Sequence, residues 1–357
     1  MHSRLTRYIT ALAAVAAVSL CARVSDRFAN YRDELPPSAE WRPLRCAITG
    51  DNLRFKSPYL LAGYSYDAVK SFARDLCIEA DIRIIRSVDS AYSALMDGRI
   101  DMFTLPCADS SDFESTVSST ALDSIERWVM NEKDRAKMAI ADEWISGYNS
   151  SPRSASARER FIRRYSPWKS GGEYEGICLT PYDSLLKAYA PVAGIDWRLF
   201  AALVYQESKF KIEVCSPAGA SGLLQFVPRT ARAFNLHNTL DPEESIRAGA
   251  ELLRKLMGYH SGIPGNERIN FALAAYNSGE GGVRRSMGLA QEYGMDDSSW
   301  ESVRQAIIIS SKDSTDCSVT DSTAAAPRKR GLLETAFYVN SIHSIYRAFC
   351  KKDAGQR

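Results

Sequence analysis

The sequence predicts a two-domain α+β chain, a small α/β domain followed by a mostly helical one. Three observations carry that expectation. Strand-like and helix-like segments alternate between residues 44 and 105. From Pro181 onward, apolar residues recur at three- and four-residue spacing. Between the two lies a turn-rich stretch, Ser170-Gly171-Gly172-Glu173-Tyr174-Glu175-Gly176. A chain of 357 residues is long enough for two separate cores. The expected divisions are an export segment at 1–30, a linker at 31–43, a first domain at 44–168, a second linker at 169–181 and a second domain at 182–350.

At the N-terminus, Arg4 and Arg7 precede an apolar run from Tyr8 to Leu20. A basic start followed by about a dozen apolar residues is the pattern of a secretory signal. The run is too short to cross a bilayer comfortably as a helix. Cys21 follows at once. A cysteine at that place is lipidated in bacterial lipoproteins, which would attach the chain to the outer membrane. Leu20 stands where lipoproteins usually carry a small residue. Two expectations therefore stay open: a lipidated Cys21, or a plain signal cut between Cys21 and Asn30. Both place the exported chain in the periplasm.

Composition narrows the classes further. The 45 basic and 43 acidic side chains leave a net charge of +2, which gives no reason to expect nucleic acid as a partner. A hydrophobic content of 45% fits a globular protein. Eight cysteines are scattered without metal-ligand spacing, so no metal site and no cofactor is expected. An exported chain is free to oxidise them. With Cys21 lipidated, seven would remain and one would stay unpaired. Most of them have the context of small buried residues or of loop residues.

In the first domain, Leu44-Arg45-Cys46-Ala47-Ile48-Thr49 is a strand candidate. Tyr66 to Cys77 carries Val69, Phe72, Ala73 and Leu76 at helical spacing. Ile82 to Ile85 is a second strand, Ala91 to Met96 a second helix ending at Asp97-Gly98, and Ile100 to Leu105 a third strand. Strand, helix, strand, helix, strand implies a small parallel sheet with crossover helices. The Asp97-Gly98-Arg99-Ile100-Asp101 turn, then Arg127-Trp128-Val129-Met130 and a helix from Asp134 to Tyr148, make residues 44–168 resemble one lobe of the bacterial extracellular solute-binding domain, family 3. Complete domains of that family close two lobes on a ligand. The stretch left here for a second lobe, about Cys107 to Ser124, is short, so the expectation is a truncated, one-lobe domain. Asp101 and Arg127 either face a ligand or serve surface and structural roles. The second is favoured, because charged residues are mostly solvated.

In the second domain, Asp196 is an N-cap candidate for a helix reaching Ser208. Leu199, Phe200, Leu203, Val204 and Glu207 follow one face of it. Glu207 thus extends an apolar stripe, where desolvation would lift its pKa above the ordinary ~4.3. A carboxyl tuned upward can give a proton to a leaving oxygen and take one back. Helical position alone leaves this open against a glutamate that turns to water at the helix end. Ser216 to Gly222 is a loop of small residues that lets a bulky ligand approach backbone. Gln225 follows at the expected start of a helix with Pro228 in its first turns, offering an amide donor and acceptor. Tyr276 and Asn277 end another helix just before Gly279. A segment from Ser310 to Arg330 is expected to be a mobile insertion, its Arg328-Lys329-Arg330 a solvated loop end. The last helix, Glu334 to Phe349, puts Phe337, Val339, Ile342, Ile345, Tyr346 and Phe349 on a broad apolar face and carries Tyr338. Taken singly, Gln225 and Asn277 also read as helix caps, and Tyr276 and Tyr338 as core.

In order, Glu207-Ser208, Ser216-Pro217-x-Gly219-Ala220-x-Gly222-Leu223-Leu224-Gln225 with Pro228, Ala275-Tyr276-Asn277-x-Gly279 and Glu334-Thr335-x-x-Tyr338-Val339 are similar to family 1 lytic transglycosylases. The likeness spans about residues 182–349 and implies a goose-type-lysozyme-like fold. With the one-lobe segment in front, the chain resembles the membrane-bound F type of that family. The resemblance implies cleavage of the β-1,4 bond between N-acetylmuramic acid and N-acetylglucosamine in peptidoglycan, with Glu207 as sole acid and then base and a 1,6-anhydro end as product. It implies that Ser208 and Gln225 bind the sugar beside the scissile bond, Tyr276 and Asn277 shape the site, Tyr338 sits near Glu207, and Gly222 admits close backbone approach. Glycan strands would be the partner, with a muropeptide as a candidate ligand of the first domain. Many glycosidases use two carboxylates. Glu213, in a loop with no sign of burial, and Glu280, among glycines, are the nearest alternatives, and neither matches a catalytic position of the family. A hydrolase of the same bond and a non-catalytic wall-binding module stay open as other functions.

Overall fold

The computed structural model describes residues 43–49, 59–162, 165, 168, 178–316 and 325–355. Two compact units divide the chain, Met1–Arg164 and Tyr165–Arg357. Cys21, the apolar run before it and Cys317 lie outside the described residues, and Cys46, Cys77, Cys107, Cys215 and Cys350 are free thiols. No helix among the described residues is long and apolar enough to cross a membrane.

The first unit is built on a five-stranded sheet in the order β2-β1-β3-β5-β4. Its strands are β1 Leu44–Thr49, β2 Ala80–Ile85, β3 Met102–Pro106, β4 Thr116–Ser118 and β5 Glu126–Asn131. Strands β1, β2 and β3 are parallel, with Cys46 opposite Ile82 on one side and Met102 on the other. The expected all-parallel sheet is corrected at its far edge. β5 runs antiparallel to β3, Phe103 facing Val129, and β4 runs antiparallel to β5. A chain that turns straight back after a strand needs no crossover helix, and the stretch left for a second lobe, about Cys107 to Ser124, holds only the short strand β4.

Strand β1 is apolar on both sides, so both faces of the sheet must be covered. On one face, α2 (Val88–Met96) brings Val88, Ala91, Ala94 and Leu95 onto Ala47, Phe103, Leu105 and Val129. The other face carries an aromatic stack. Phe72 of α1 (Leu61–Asp75) meets Trp128 at 5.1 Å, and Trp128 stacks on Trp144 of α3 (Arg135–Asn149) at 5.6 Å. A fourth helix, α4 (Pro152–Phe161), is capped by Ser151 and closes the unit. Asp101 accepts from the Arg45 backbone and guanidinium, and Arg127 donates to the carbonyls of Asp109 and Ser111. Both are held by the fold of their own unit.

Glu126 sits fully inside this unit, accepting from Ser65 Oγ and, at 3.1 Å, from Trp128 Nε1. Burial outweighs both donors and pushes its carboxyl up to about 7. Between its unfolded value of 4.5 and about 7, the folded chain keeps a proton that the unfolded chain has lost. Stability is therefore greatest below the unfolded value and falls as pH rises through the folded one. Glu126→Gln keeps the Trp128 bond at its amide oxygen, lets Ser65 Oγ accept from its amide nitrogen while donating to Leu61 O, and removes the titration. We expect its melting transition to gain on the wild type by roughly 2–3 kcal/mol between pH 4.5 and pH 8, at about 1.4 kcal/mol per unit. Calorimetry across that range checks it, and a pH-independent difference would contradict the assignment.

The second unit is helical: α5 Asp183–Ala193, α6 Trp197–Ser208, α7 Pro228–Ala233, α8 Pro242–Tyr259, α9 Gly265–Glu292, α10 Trp300–Asp316 and α11 Ala325–Gly355. α6 packs between α5 and α11, and α9 contacts α8, α10 and α11. α9 is broken at Gly279, whose φ of 71° and ψ of 164° end its first half just after Asn277. Three expectations need correction. Ser310–Asp316 and Ala325–Arg330 are helical, extending α10 and α11, and the remainder of that segment lies outside the described residues. Phe337 leaves the apolar face of α11 and is 61% exposed, because the buried stripe runs through Ala336, Val339, Ile342 and Ile345. Gln225 begins no helix; α7 starts at Pro228, and Gln225 takes a left-handed φ of 49° in the loop before it.

Candidate active site

Helix α6 explains where Glu207 stands. Asp196 caps it, its side chain accepting from Arg198 N at 2.8 Å. Leu199, Phe200, Leu203 and Val204 are buried on the stripe that Glu207 continues. The helix stops one residue after Glu207. Lys209 takes a left-handed φ of 55°, and Phe210 follows at 66°. A side chain on the buried face at the last turn thus leaves water while the chain itself turns away after it.

Burial pushes the Glu207 carboxyl up to about 7; the Tyr338 hydrogen bond and the nearby positive charge of Lys209 both pull it down, and burial wins. Tyr338, on the buried face of α11, donates its hydroxyl to Glu207 Oε1. Burial first, then the Glu207 charge, holds Tyr338 far above the ordinary tyrosine value, so it acts as a neutral donor. Tyr276 is likewise raised by burial and by Glu207. Its hydroxyl donates to Leu224 O at 2.7 Å, which ties α9 to the loop preceding Gln225. Next to Glu207, Gln206 Oε1 accepts from Ser341 of α11 at 2.9 Å.

The loop between α6 and α7 is folded on itself. Ser221 pairs with both Cys215 and Phe226 in short bridges, and Gly222 N donates to Val214 O. Gln225 Nε2 donates to Val214 O and to Gly222 O, each at 2.9 Å. Both amide protons are spent on the loop, and the amide oxygen remains an acceptor. Gly222 has a φ of +77°, and a Cβ there would stand 2.0 Å from Thr239 O.

The other expected residues fall as follows. Ser208 is 3% exposed, and its hydroxyl donates back to Val204 O at 3.2 Å. Asn277 is exposed and accepts from Thr335 Oγ1 at 2.9 Å, which joins the end of the first half of α9 to α11. Tyr338 therefore meets Glu207 at the end of α6, Tyr276 is tied to Leu224, Gly222 and Gln225 brace the loop between α6 and α7, and Asn277 stands at the α9–α11 contact. Glu213 is corrected: its Oε2 is buried with no hydrogen-bond partner among the described residues. Burial pushes its carboxyl up, against its own backbone N–H and Lys211, and Glu207 is not among the groups acting on it. Glu280 lies 3.2 Å from His260 Nε2 and 3.6 Å from Arg284 Nε. Sequence reasoning passed over Lys209. The signal for it was position, one residue past the Glu207-Ser208 pair.

Residues 184–298 match the family described as Transglycosylase SLT domain. The chain is 41% identical over 128 residues to the membrane-bound lytic murein transglycosylase F of Marinobacter nauticus, covering 36% of this chain and 26% of that one. It is 32% identical over 195 residues to the protein of the same name from Alcanivorax borkumensis, covering 52% and 41%. Among solved structures, the 70 kDa soluble lytic transglycosylase of Escherichia coli aligns over 61% of this chain and 33% of that one, at 24% identity and a TM-score of 0.36. This chain thus spans well under half the length of the relatives it matches.

Proposed function

We propose that the chain is an exported peptidoglycan lytic transglycosylase with Glu207 as its sole acid and base. The observation that carries this is the buried Glu207 carboxyl at the end of α6, poised at about 7 and held by Tyr338. Such a group is protonated for part of the population at neutral pH and can work in both directions. In the first step it gives its proton to the glycosidic oxygen, and the bond from that oxygen to C1 of the muramoyl residue breaks. The Glu207 carboxylate then takes the proton of the muramoyl C6 hydroxyl while that oxygen bonds to C1. No water is consumed, Glu207 ends protonated as it began, and the product carries a 1,6-anhydro end. Proximity favours this ring closure, because the nucleophile belongs to the same sugar.

Among the described residues, no carboxylate is among the groups that act on Glu207, which supports one group for both proton transfers. Gln225, Tyr276 and Asn277 frame the sugar site, and Gly222 lets the loop backbone come close. Ser208 serves it through the helix end, its hydroxyl being turned to Val204. The relatives' name, membrane-bound lytic murein transglycosylase F, supports attachment to a membrane, for which Cys21 is the proposed anchor, and a muropeptide is the proposed ligand of the first unit. Mass spectrometry of fragments released from purified peptidoglycan tests the reaction. Fragments lighter by one water than reducing-end muropeptides are expected, and reducing ends would instead identify a hydrolase.

A further inference from the structure

We infer that His260 is a positioning residue for the sugar site, a buried strut that holds Glu280 and so fixes how α9 resumes after its break at Gly279. The inference rests on the sugar site proposed above and identifies what holds one wall of it. Gly279, at φ 71° and ψ 164°, takes a conformation open in practice to glycine alone, and it interrupts α9 between Asn277 and Glu280. A glycine joint sets no angle by itself, having no side chain to pack and the widest choice of backbone conformations. Contacts on either side must set it. Before the break, Asn277 Oδ1 accepts from Thr335 Oγ1 at 2.9 Å, three residues ahead of Tyr338 on α11. After the break, Glu280 Oε2 lies 3.2 Å from His260 Nε2.

His260 is itself fixed. It is 5% exposed and is the C-cap of α8, its backbone N–H donating to Met257 O at 3.1 Å and its carbonyl accepting from Ile263 N at 2.9 Å. Its ring lies 5.6 Å from that of Phe271, in the first half of α9, and Phe271 meets Trp300 edge-on at 5.5 Å. One imidazole thus touches both halves of α9, Phe271 before the break and Glu280 after it. His260 Nε2 and Glu280 Oε2 are both shut off from water, and neither makes a hydrogen bond among the described residues, so the contact between them is their polar match. An imidazole N–H there attracts the carboxylate whether or not the ring is protonated. Losing either group leaves the other buried and unmatched. Arg284 Nε also approaches Glu280 Oε1, at 3.6 Å, but it belongs to the same half of α9, moves with Glu280 and cannot fix the angle. The path to the acid is short. Asn277 and Glu280 flank the joint, Asn277 is bonded to Thr335, and Tyr338 on the same helix donates to Glu207.

The test uses the full chain and two readouts, hydrogen exchange of the backbone at 276–284 and steady-state cleavage of uncrosslinked glycan strands. His260→Phe keeps the ring contact with Phe271 and drops the pairing nitrogen. Glu280→Met removes the pair from the other side, and it serves alone where His260→Phe does not fold. His260→Gln still turns an amide N–H to Glu280 and is the conservative control. In His260→Phe and Glu280→Met, exchange across the break is expected to quicken about tenfold while the rest of the second unit is unchanged. KM is expected to rise about five- to tenfold with kcat within about twofold, because the wall binds sugar and transfers no proton. His260→Gln should stay near wild type in both. The inference needs both changes together. Faster exchange at constant KM overturns it, and so does a higher KM without faster exchange. Quickening over the whole unit is loss of stability alone and overturns it too. The double variant should be no worse than the worse single one, and additive losses overturn the pairing. If the wild type leaves peptidoglycan intact, the reaction assigned to Glu207 fails by itself, and affinity for the same strands takes the place of KM as the second readout.

Discussion

Glu207→Gln is expected to lower the release of muropeptides from purified peptidoglycan by at least about 10³-fold, while binding to the same sacculi persists. The amide matches the carboxyl in shape and still accepts from Tyr338, so the surroundings of the site stay in place. What it cannot do is give a proton and take one back, and both steps run through this one group. Stability separates a catalytic loss from a structural one. Burial lifts the Glu207 carboxyl to about 7, so above that pH the wild type carries a buried charge that the amide lacks. The variant should then melt at or above the wild-type temperature at pH 8, even though it is inactive. Activity and melting falling together would mean that Glu207 holds the helix end rather than the reaction. The same assignment fixes the sign of the pH dependence. The first step needs the protonated acid, so kcat/KM should fall as pH rises through about 7.

The readable parts of this protein were those set by short-range periodicity. The stripe through Leu199, Phe200, Leu203 and Val204 foretold the buried face of α6, and Asp196 foretold where that helix begins, whereas the stripe alone left Glu207 open. The first three strands followed from alternation with helices. Contacts that depend on chain return were not readable in the same way. Tyr338 meets Glu207 across 131 positions, and Thr335 meets Asn277 across 58. Each of those residues is ordinary in its own helix, and the order of motifs suggested them where spacing could not. β4 was missed because three-residue Thr116–Ser118 is too short to show a period, and the antiparallel place of β5 depends on chain return to β3. Glu213 was misread for a related reason: a loop residue next to Val214 and Ile212 is buried by what folds over it, not by its neighbours in sequence. Gln225 looked like the first residue of a helix because Pro228 follows it. Pro228 is in fact the first helical residue, where its missing N–H costs nothing, and Gln225 is left to brace the loop.

Gly222→Ala is expected to destabilise the second unit by roughly 2–5 kcal/mol, or to displace the loop and abolish activity if the chain relieves the strain that way. Two independent costs add. At φ +77° a side chain pays about 1–2 kcal/mol of backbone strain. Its Cβ also falls 2.0 Å from Thr239 O, a backbone atom with no rotamer to escape into. Forced overpacking of that kind costs about 1–3 kcal/mol. The loop cannot slide away cheaply. Gly222 N is bonded to Val214 O, Gly222 O receives Gln225 Nε2, and Ser221 Oγ donates to Thr239 Oγ1 at 2.9 Å. Moving Thr239 breaks the last of these, and moving Gly222 breaks the first two and swings Gln225 out of the site. Gly219→Ala provides the comparison. Gly219 has nearly the same φ, +79°, but a Cβ there meets nothing within 4 Å. It should cost only the backbone strain and leave activity close to wild type. Melting both variants beside the wild type therefore separates strain from collision. Equal losses would mean that Thr239 yields and that the loop is softer than its hydrogen bonds imply. A large excess for Gly222→Ala would mean that the glycine is required by the close approach of two backbones, its own and that of Thr239.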